Sequence, residues 1–529
     1  MTKDQVISIY GSHDASITFI DKNDNLRVYE YERFVKKRYA MFATKFDYRQ
    51  DMGTSEADRR AFLSLIKKNL KNEDIQLILY AELDDSDKGL LLEYFPNVAF
   101  EIVGHHHAHA CSGFYPSGYS NAWIFSVDGG GWDNGYINTT KIFQAENGML
   151  TNTGASPMDL GTPYAGIGYL VSEVTPSPEN QDSVHALSYA GKLMGLCAYG
   201  TINPEWVGAM HEYYAGNLRL EGLCARLNLP YGYNALSGQD SYDLAAVSQY
   251  VFEVRLWTLI KAYLETKLQN VVMVGGCGLN VLFNQKLKDI LAEKGLEAYV
   301  PPNPNDCGLS HGMFLFKFPE LANQEVCYSG IEILDLDRAS ELLAPYQTEP
   351  FTYSRIVELL KEGKILGLIN DLSEVGPRAL GNRSIICDPS FPDMKDTLNA
   401  KVKFREWFRP FAPVCSIYDA SEYFNFVYES KYMSYAPRVK EEYQKSLSTI
   451  THVDNTARLQ TVSEKDHTHF FNILSELKNN GHIPVILNTS FNIKGRPILT
   501  TIEDALYVLD NTELDYVVTN NVIVSKKQI

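Results

Sequence analysis

The chain has 529 residues, 45% of them hydrophobic and 21% charged, which is too long for one ordinary core and predicts two or more domains. Its formal net charge of −17 argues against a broad nucleic-acid-binding face, which would draw on clustered Lys and Arg, while leaving room for a local basic groove. Eight cysteines without a CxxC pair fit reduced thiols better than a disulfide framework or zinc ribbon, and the sequence offers neither an apolar signal core nor a membrane-length apolar span, so a soluble cytoplasmic protein with no membrane partner is expected.

In chain order, VISIYGSHDASITFID (6–21) predicts a strand, the polar turn GSHDAS and a second strand. SEADRRAFLSLIKKNLKN (55–72) reads as a helix ahead of the strand IQLILYAEL. NVAFEIV is a further short strand, and it runs into GHHHAHACSG (104–113), where four of the chain's twelve histidines fall in five positions. On a helix, His105 and His109 stack one turn apart and can reach a single metal ion, with His106 and His107 pointing elsewhere. A merely solvated His-rich surface is the competing reading. Against it stands the location, a strand-to-helix junction of the kind where open α/β sheets place ligands.

AWIFSVDGGGWDNG (122–135) repeats the N-terminal idea, an apolar strand ending in a glycine-rich turn that carries Asp128. Two such copies predict a duplicated α/β domain with a cleft between its halves. A long amphipathic helix, SYDLAAVSQYVFEVRLWTLIKAYLETKL (241–268), leads into the strand and turn VVMVGGCGLN and the helix VLFNQKLKDILAEKG. Another strand ends in PPNPNDCGLSHG, with Asp306 at its carboxyl end. Periodicity weakens over 330–350 and a new α/β unit begins at IVELLKEGKILGLI, which sets the domains at 1–345 and 346–529.

Three constellations bear chemistry. His105, His109, Asp128 and Asp306 make an all-nitrogen-and-oxygen set suited to iron, manganese or zinc, unless the two acids are plain turn residues. In GGCGLN (275–280) glycines let the backbone approach a ligand, and the following helix N-terminus favours a nucleotide phosphate; a tight ligand-free turn reads the same way. In the C-terminal part, SEVGPRALGNRSI (373–385), KFREWFRPFAP (403–413), THVDNTARLQTV (451–462) and NTSFN (488–492) set Arg or Asn beside Gly, Pro or aromatics, a pattern suited to a small anion. Trp407, Phe408 and Phe411 are candidates to shield it from water. Arg378 stands out because neighbouring Gly and Pro fix its backbone.

Taken in order, HHHAHA, SVDGGG, GKLMGLCAYG (191–200), GGCGLN, NDCGLSHG, GPRALGNRSI, FREWFRPFAP, THVDNTARLQTV and NTSFN resemble the O-carbamoyltransferase family of nodulation-factor, cephem and tobramycin carbamoyltransferases, over nearly the whole chain. The resemblance implies an α/β architecture: an N-terminal actin-like (duplicated ribonuclease-H-like) ATPase-type domain and a C-terminal YrdC-like α/β domain. It implies Fe(2+) or another divalent metal held by His105, His109, Asp128 and Asp306, with His13 as general base near the acceptor hydroxyl. By the same resemblance Arg378, Arg409 and Asn488 hold carbamoyl phosphate or an adenylate, and Arg38 stands where relatives usually carry lysine; Gly275, Gly276 and Asn280 are the nucleotide-binding candidates that the GGCGLN turn itself offers. One departure is Leu372, where the family pattern ahead of GPRALG carries arginine.

The expected activity is O-carbamoyl transfer from carbamoyl phosphate and ATP, by way of carbamoyl adenylate, to a hydroxyl of a small molecule, sugar or nucleotide. A hydroxymethylated nucleobase is an alternative acceptor. An actin-like-fold kinase and a non-catalytic nucleotide-binding protein are the rival readings. The acidic charge disfavours polymeric nucleic acid as a partner, and a homodimer is a compatible assembly.

Overall fold

In the computed structural model, which describes residues 1–44, 52–133, 135–176, 186–519 and 522–527, the first predicted hairpin is present. Strand β1 (Val6–Tyr10) pairs antiparallel with β2 (Ser16–Ile20), and β2 with β3 (Leu26–Glu30). On its other side β1 pairs parallel with β4 (Leu77–Ala81), and β4 with β5 (Ala99–Ile102). The five-stranded order is β3-β2-β1-β4-β5. The helix Glu56–Asn69 that feeds β4 starts where the sequence places it, because Ser55 and Asp58 form a reciprocal capping box.

A second sheet repeats this plan. Strand β6 (Ala122–Asp133) pairs antiparallel with β7 (Tyr136–Glu146), and β7 with β8 (Met149–Ser156). β6 pairs parallel with β9 (Asn270–Val274), and β9 with β10 (Ala298–Tyr299). Read from its far edge the order is β8-β7-β6-β9-β10, the same connectivity as the first sheet. The expected duplication is therefore a feature of the hydrogen-bond ladders themselves. One detail differs from the sequence reading: the glycines after Asp128 do not end the strand. Pairing is interrupted by a bulge between Val127 and Gly131 and resumes at Gly131 opposite Asn138.

The helix His105–Phe114 lies between the two sheets, which is why it is buried nearly all round, with only His107 partly exposed. Ala108 and Cys111 pack into the cluster of Tyr10, Leu79 and Leu309, while Ala110 and Phe114 pack into that of Ile124, Phe143 and Val272. Close approach depends on glycine. A Cβ on Gly312 would stand 1.8 Å from the Ala108 carbonyl oxygen, and one on Gly113 would stand 2.4 Å from Val274. Both halves thus bring strand ends to one central helix, and that helix carries the histidines.

Residues Met1–Val326 and Cys327–Ile529 form separate compact units, both of the α/β class. The second unit begins ahead of the change in periodicity at 345. Val375 donates to Cys327 O, Gly330 to Ser373 O and Leu334 to Thr500 O, so residues 327–334 are already bound into its structure. Its eight strands are β11 (Gln347–Pro350), β12 (Leu366–Ile369), β13 (Arg383–Cys387), β14 (Ala412–Ser416), β15 (Gln460–Val462), β16 (Val485–Ser490), β17 (Tyr516–Thr519) and β18 (Val522–Ser525). They form one mixed sheet in the order β11-β18-β17-β12-β13-β16-β14-β15.

Alternate residues of that sheet serve opposite faces. Leu366, Leu368 and Ile386 meet the cluster that includes Ile356 and Phe470, whereas Ile369, Ile385 and Leu487 meet that of Leu506 and Leu509. All eight cysteines are buried, and among the described residues no helix is long and apolar enough to cross a membrane.

Candidate active site

His105 and His109 lie one turn apart on the central helix, with neither ring exposed. Asp128 comes from β6, and Asp306 opens the short turn Asp306–Gly308 that continues into the helix Leu309–Lys317. His109 Nε2 is 3.4 Å from Asp128 Oδ2 and 3.3 Å from Asp306 Oδ1, and His105 Nε2 is 3.7 Å from Asp306 Oδ1. One donor atom from each of the four lies within 4.8 Å of the others. An ion held about 2.0–2.2 Å from each donor sets its ligands roughly 3–4 Å apart, so this group could hold one.

The donor chemistry agrees with the geometry. The buried ring nitrogens of both imidazoles make no short, well-aligned hydrogen bond, with both nitrogens of His105 and Nε2 of His109 facing carboxylate oxygens at 3.3–3.7 Å, and among the described residues no Lys or Arg pairs with Asp128 or Asp306. Burial alone would push His105 down, yet Asp306, Glu82 and Asp128 pull it up to about 9. Burial would conversely raise Asp306, but the imidazoles of His105, His13 and His109 hold it far below the usual carboxylate range. Buried carboxylates without a permanent cation are strongly unfavourable unless a cation or proton compensates them.

Asp128 is fixed by two backbone amides. Gly129 N–H donates to Oδ1 and Gly276 N–H to Oδ2, each at 2.6 Å. The second contact requires the turn at Gly275, whose φ is +83° and whose N–H donates to Pro304 O. A Cβ there would stand 2.2 Å from the Val127 carbonyl oxygen. Gly275→Ala is expected to destabilise the protein by about 1–3 kcal/mol, read as a lowered thermal unfolding midpoint; an unchanged midpoint would show that the turn is not constrained.

Gly275 and Gly276 thus border the acid cluster through their backbone, whereas the Asn280 side chain turns into the protein. Asn280 exchanges two 3.0 Å amide hydrogen bonds with Gln249 and caps the helix Val281–Ala292 through Phe283 N. His13, in the β1–β2 turn, joins the acid cluster: its Nδ1 is 3.0 Å from Asp14 Oδ2 and its Nε2 is 3.6 Å from Asp306 Oδ2. Arg38 lies in the same unit, donating to Tyr39 OH at 2.7 Å, with Glu32 among its electrostatic neighbours.

The sequence reading missed Tyr10 and Glu82. Tyr10 donates to Asp306 Oδ2 at 2.6 Å and lies 3.3 Å from Glu82 Oε2, and Glu82 Oε1 is 3.4 Å from His105 Nδ1. Nothing local in the sequence marks either residue, since the contacts span 296 and 72 positions.

The second unit holds a group of guanidiniums. Burial and the neighbouring Arg409 push Arg378 down to about 10, which leaves it cationic at neutral pH. Burial followed by Arg409 depresses Arg405, and burial followed by Arg378, Arg405 and Arg409 depresses Arg458. Glu406 lies 3.5 Å from Arg409. Cations that raise one another's energy in this way are stabilised by an anion with several oxygens. Arg405 and Arg458 sit in motifs already singled out, but only tertiary structure shows that they converge with Arg378 and Arg409.

The loop bearing Arg378 is wrapped round Glu374. The unexposed carboxylate oxygen Oε1 accepts from the N–H groups of Leu380, Gly381, Asn382 and Arg383 at 2.8–3.0 Å. Asn488 supports the same loop: its Nδ2 donates to Ala379 O at 3.1 Å and to Gln460 Oε1 at 2.9 Å. Lys403, 3% exposed, is a further cation missed in the sequence, and it donates to Asn492 O at 2.7 Å and to Ser490. Of the proposed aromatic shields, Phe411 lies 4.3 Å beneath the Arg405 guanidinium and Phe408 is buried, but Trp407 is 52% exposed.

Comparison with known proteins adds an independent line. Residues 60–314 match the family described as Carbamoyltransferase N-terminus and residues 357–526 the family described as Carbamoyltransferase C-terminus. The chain is 28% identical over 463 residues to nodulation protein NolO of Bradyrhizobium diazoefficiens, covering 80% of this chain and 79% of that one. It is 30% identical over 367 residues to nodulation protein U of Sinorhizobium fredii, covering 64% and 63%. Among solved structures, full-length HypF in a phosphate- and nucleotide-bound form aligns with 15% identity and a TM-score of 0.33, covering 60% of this chain and 56% of that one. The chain spans about half the length of the solved HypF structures it matches, 56% and 48%.

Proposed function

The chain belongs to the carbamoyltransferase family, and from that premise we propose that it is an O-carbamoyltransferase that uses carbamoyl phosphate and ATP by way of carbamoyl adenylate. The observation that carries this reading is the chemistry of the two residue groups. One combines two imidazoles and two carboxylates with His13, and the other gathers four mutually destabilised guanidiniums.

In the second unit, assigned the YrdC-like activating role, Arg378, Arg405, Arg409 and Arg458 bind the phosphates of both donors and neutralise charge as it develops. Carbamoyl phosphate loses phosphate to water, giving carbamate. A carbamate oxygen then attacks the α-phosphorus of ATP, and pyrophosphate departs to leave carbamoyl adenylate.

In the first unit, His105, His109, Asp128 and Asp306 would hold Fe(2+) or another divalent ion, which when bound supplies Lewis acidity for a carbonyl oxygen. Asp14 orients the His13 ring through Nδ1, so that Nε2 faces the cluster. His13 takes the proton of the acceptor hydroxyl as its oxygen attacks the carbamoyl carbon, and AMP leaves. The backbone at Gly275 and Gly276 borders this reaction space and keeps Asp128 in place. The acceptor is a hydroxyl of a small molecule, sugar or nucleotide, with a hydroxymethylated nucleobase as the alternative.

Pyrophosphate release dependent on carbamoyl phosphate tests the reaction class. Release of ADP instead would point to the actin-like-fold kinase reading. His13→Ala is expected to fold, retain metal and still form the adenylate, but to transfer carbamoyl about 10²–10⁴-fold more slowly. Wild-type transfer in that variant would reduce His13 to a turn residue.

A further inference from the structure

Two residues outside the four ligands touch them. Tyr10 ends β1, and Glu82 follows the last residue of the adjacent parallel strand β4, in a register that sets Tyr10 opposite Ala81. Neighbouring strands of the first sheet therefore deliver both side chains to the carboxyl edge where Asp306 and His105 stand. Glu82 has a left-handed backbone (φ 56°), and a Cβ on Gly11 would stand 2.3 Å from its carbonyl oxygen. A residue other than glycine adopts that conformation at a cost, so the surrounding structure must hold Glu82 in place.

The contacts divide the labour within each ligand. Asp306 Oδ1 faces the imidazoles, 3.3 Å from His109 and 3.7 Å from His105, while Oδ2 takes the Tyr10 hydroxyl hydrogen at 2.6 Å. His105 turns Nε2 to that cluster and Nδ1 to Glu82, at 3.4 Å. Tyr10 and Glu82 approach each other to 3.3 Å, so one connected pair stands behind both ligands.

We infer that Glu82 and Tyr10 are positioning residues for the ion: Glu82 receives the Nδ1 hydrogen of His105 so that the Nε2 lone pair points into the cluster, and Tyr10 holds Asp306 Oδ2 so that Oδ1 is the ligating oxygen. An imidazole ligand depends on such a partner for its tautomer and orientation, and a carboxylate ligand for its choice of oxygen. The inference rests on the metal reading given above. It adds that two of the four ligands, His105 and Asp306, are oriented by residues at the ends of the two parallel strands of the first sheet, in addition to the helix and loop that carry them.

The test is titration of the full chain, stripped by chelator, with Fe(II) and with Co(II). Tyr10→Phe, which removes only the hydroxyl, and Glu82→Ala should each weaken ion binding about 10–100-fold. Glu82→Gln, which keeps an acceptor oxygen, should fall between Glu82→Ala and the wild type. The Co(II) visible spectrum should change most in Glu82→Ala, where the His105 ring is released, and less in Glu82→Gln. All variants should unfold cooperatively when stripped, with a smaller ion-induced rise in unfolding temperature than the wild type. Tyr10→Phe and Glu82→Ala binding the ion as tightly as the wild type would overturn the inference; if Glu82→Ala does not fold, Tyr10→Phe decides alone. Equal ion binding by wild type and His105→Ala would instead overturn the metal reading itself, so the two failures are distinguishable.

Discussion

Replacing Arg378 or Arg409 with alanine is expected to lower carbamoyl-phosphate-dependent ATP–pyrophosphate exchange by at least about tenfold. Each change removes charge-assisted hydrogen bonds to an anion at a partly desolvated site, a loss of roughly 1.5–3 kcal/mol, and about 1.4 kcal/mol is a factor of ten. The exchange reaction needs no acceptor, so it isolates the activating step. The loop is expected to survive in Arg378→Ala because Glu374 and Asn488 hold it through backbone groups that the substitution leaves alone. Synthetic carbamoyl adenylate should restore transfer in these variants more readily than in His105→Ala. Normal exchange in either arginine variant would contradict the assignment.

The second large effect concerns the ion. His105→Ala or Asp306→Asn should lose metal by more than the roughly 10–100-fold expected for an outer partner, and carbamoyl transfer should collapse with it. Exchange should largely persist, because it is assigned to the second unit. Loading should also weaken as pH falls from about 9, since His105 sits near that value and an imidazole must shed its proton to bind an ion. Metal content by elemental analysis, with loading measured across pH, checks both points. Metal content equal to the wild type in these two variants would remove the ion from the mechanism.

Much of this arrangement was legible in the sequence. The two strand-turn-strand segments with acids and glycines at their tips announce the duplication, because apolar strands and polar turns are local signals. The His105/His109 spacing is likewise local, fixed by helical geometry. The extension of β6 beyond Asp128 was not legible: it depends on β7 resuming its pairing after the bulge, which a run of three glycines does not encode. The start of the second unit at Cys327 rests on backbone contacts with residues more than 40 positions later, such as Val375. Tyr10 and Glu82 look like ordinary strand-end residues until β1 and β4 are placed side by side. In the second unit the motifs were visible and Arg378 stood out among them, but Arg405 and Arg458, which join it, were not singled out. Asn488 braces the loop, while Arg405 and Arg458 emerge as the further cations because the segments that carry them converge on Arg378 and Arg409.

The most direct test of the central claim is mass spectrometry of a metabolite extract incubated with metal-loaded protein, ATP and isotopically labelled carbamoyl phosphate. A hydroxyl compound gaining one labelled carbamoyl group, together with AMP and pyrophosphate and without ADP, is the predicted result. Consumption of ATP to ADP with a phosphorylated product and no carbamoyl label would contradict it.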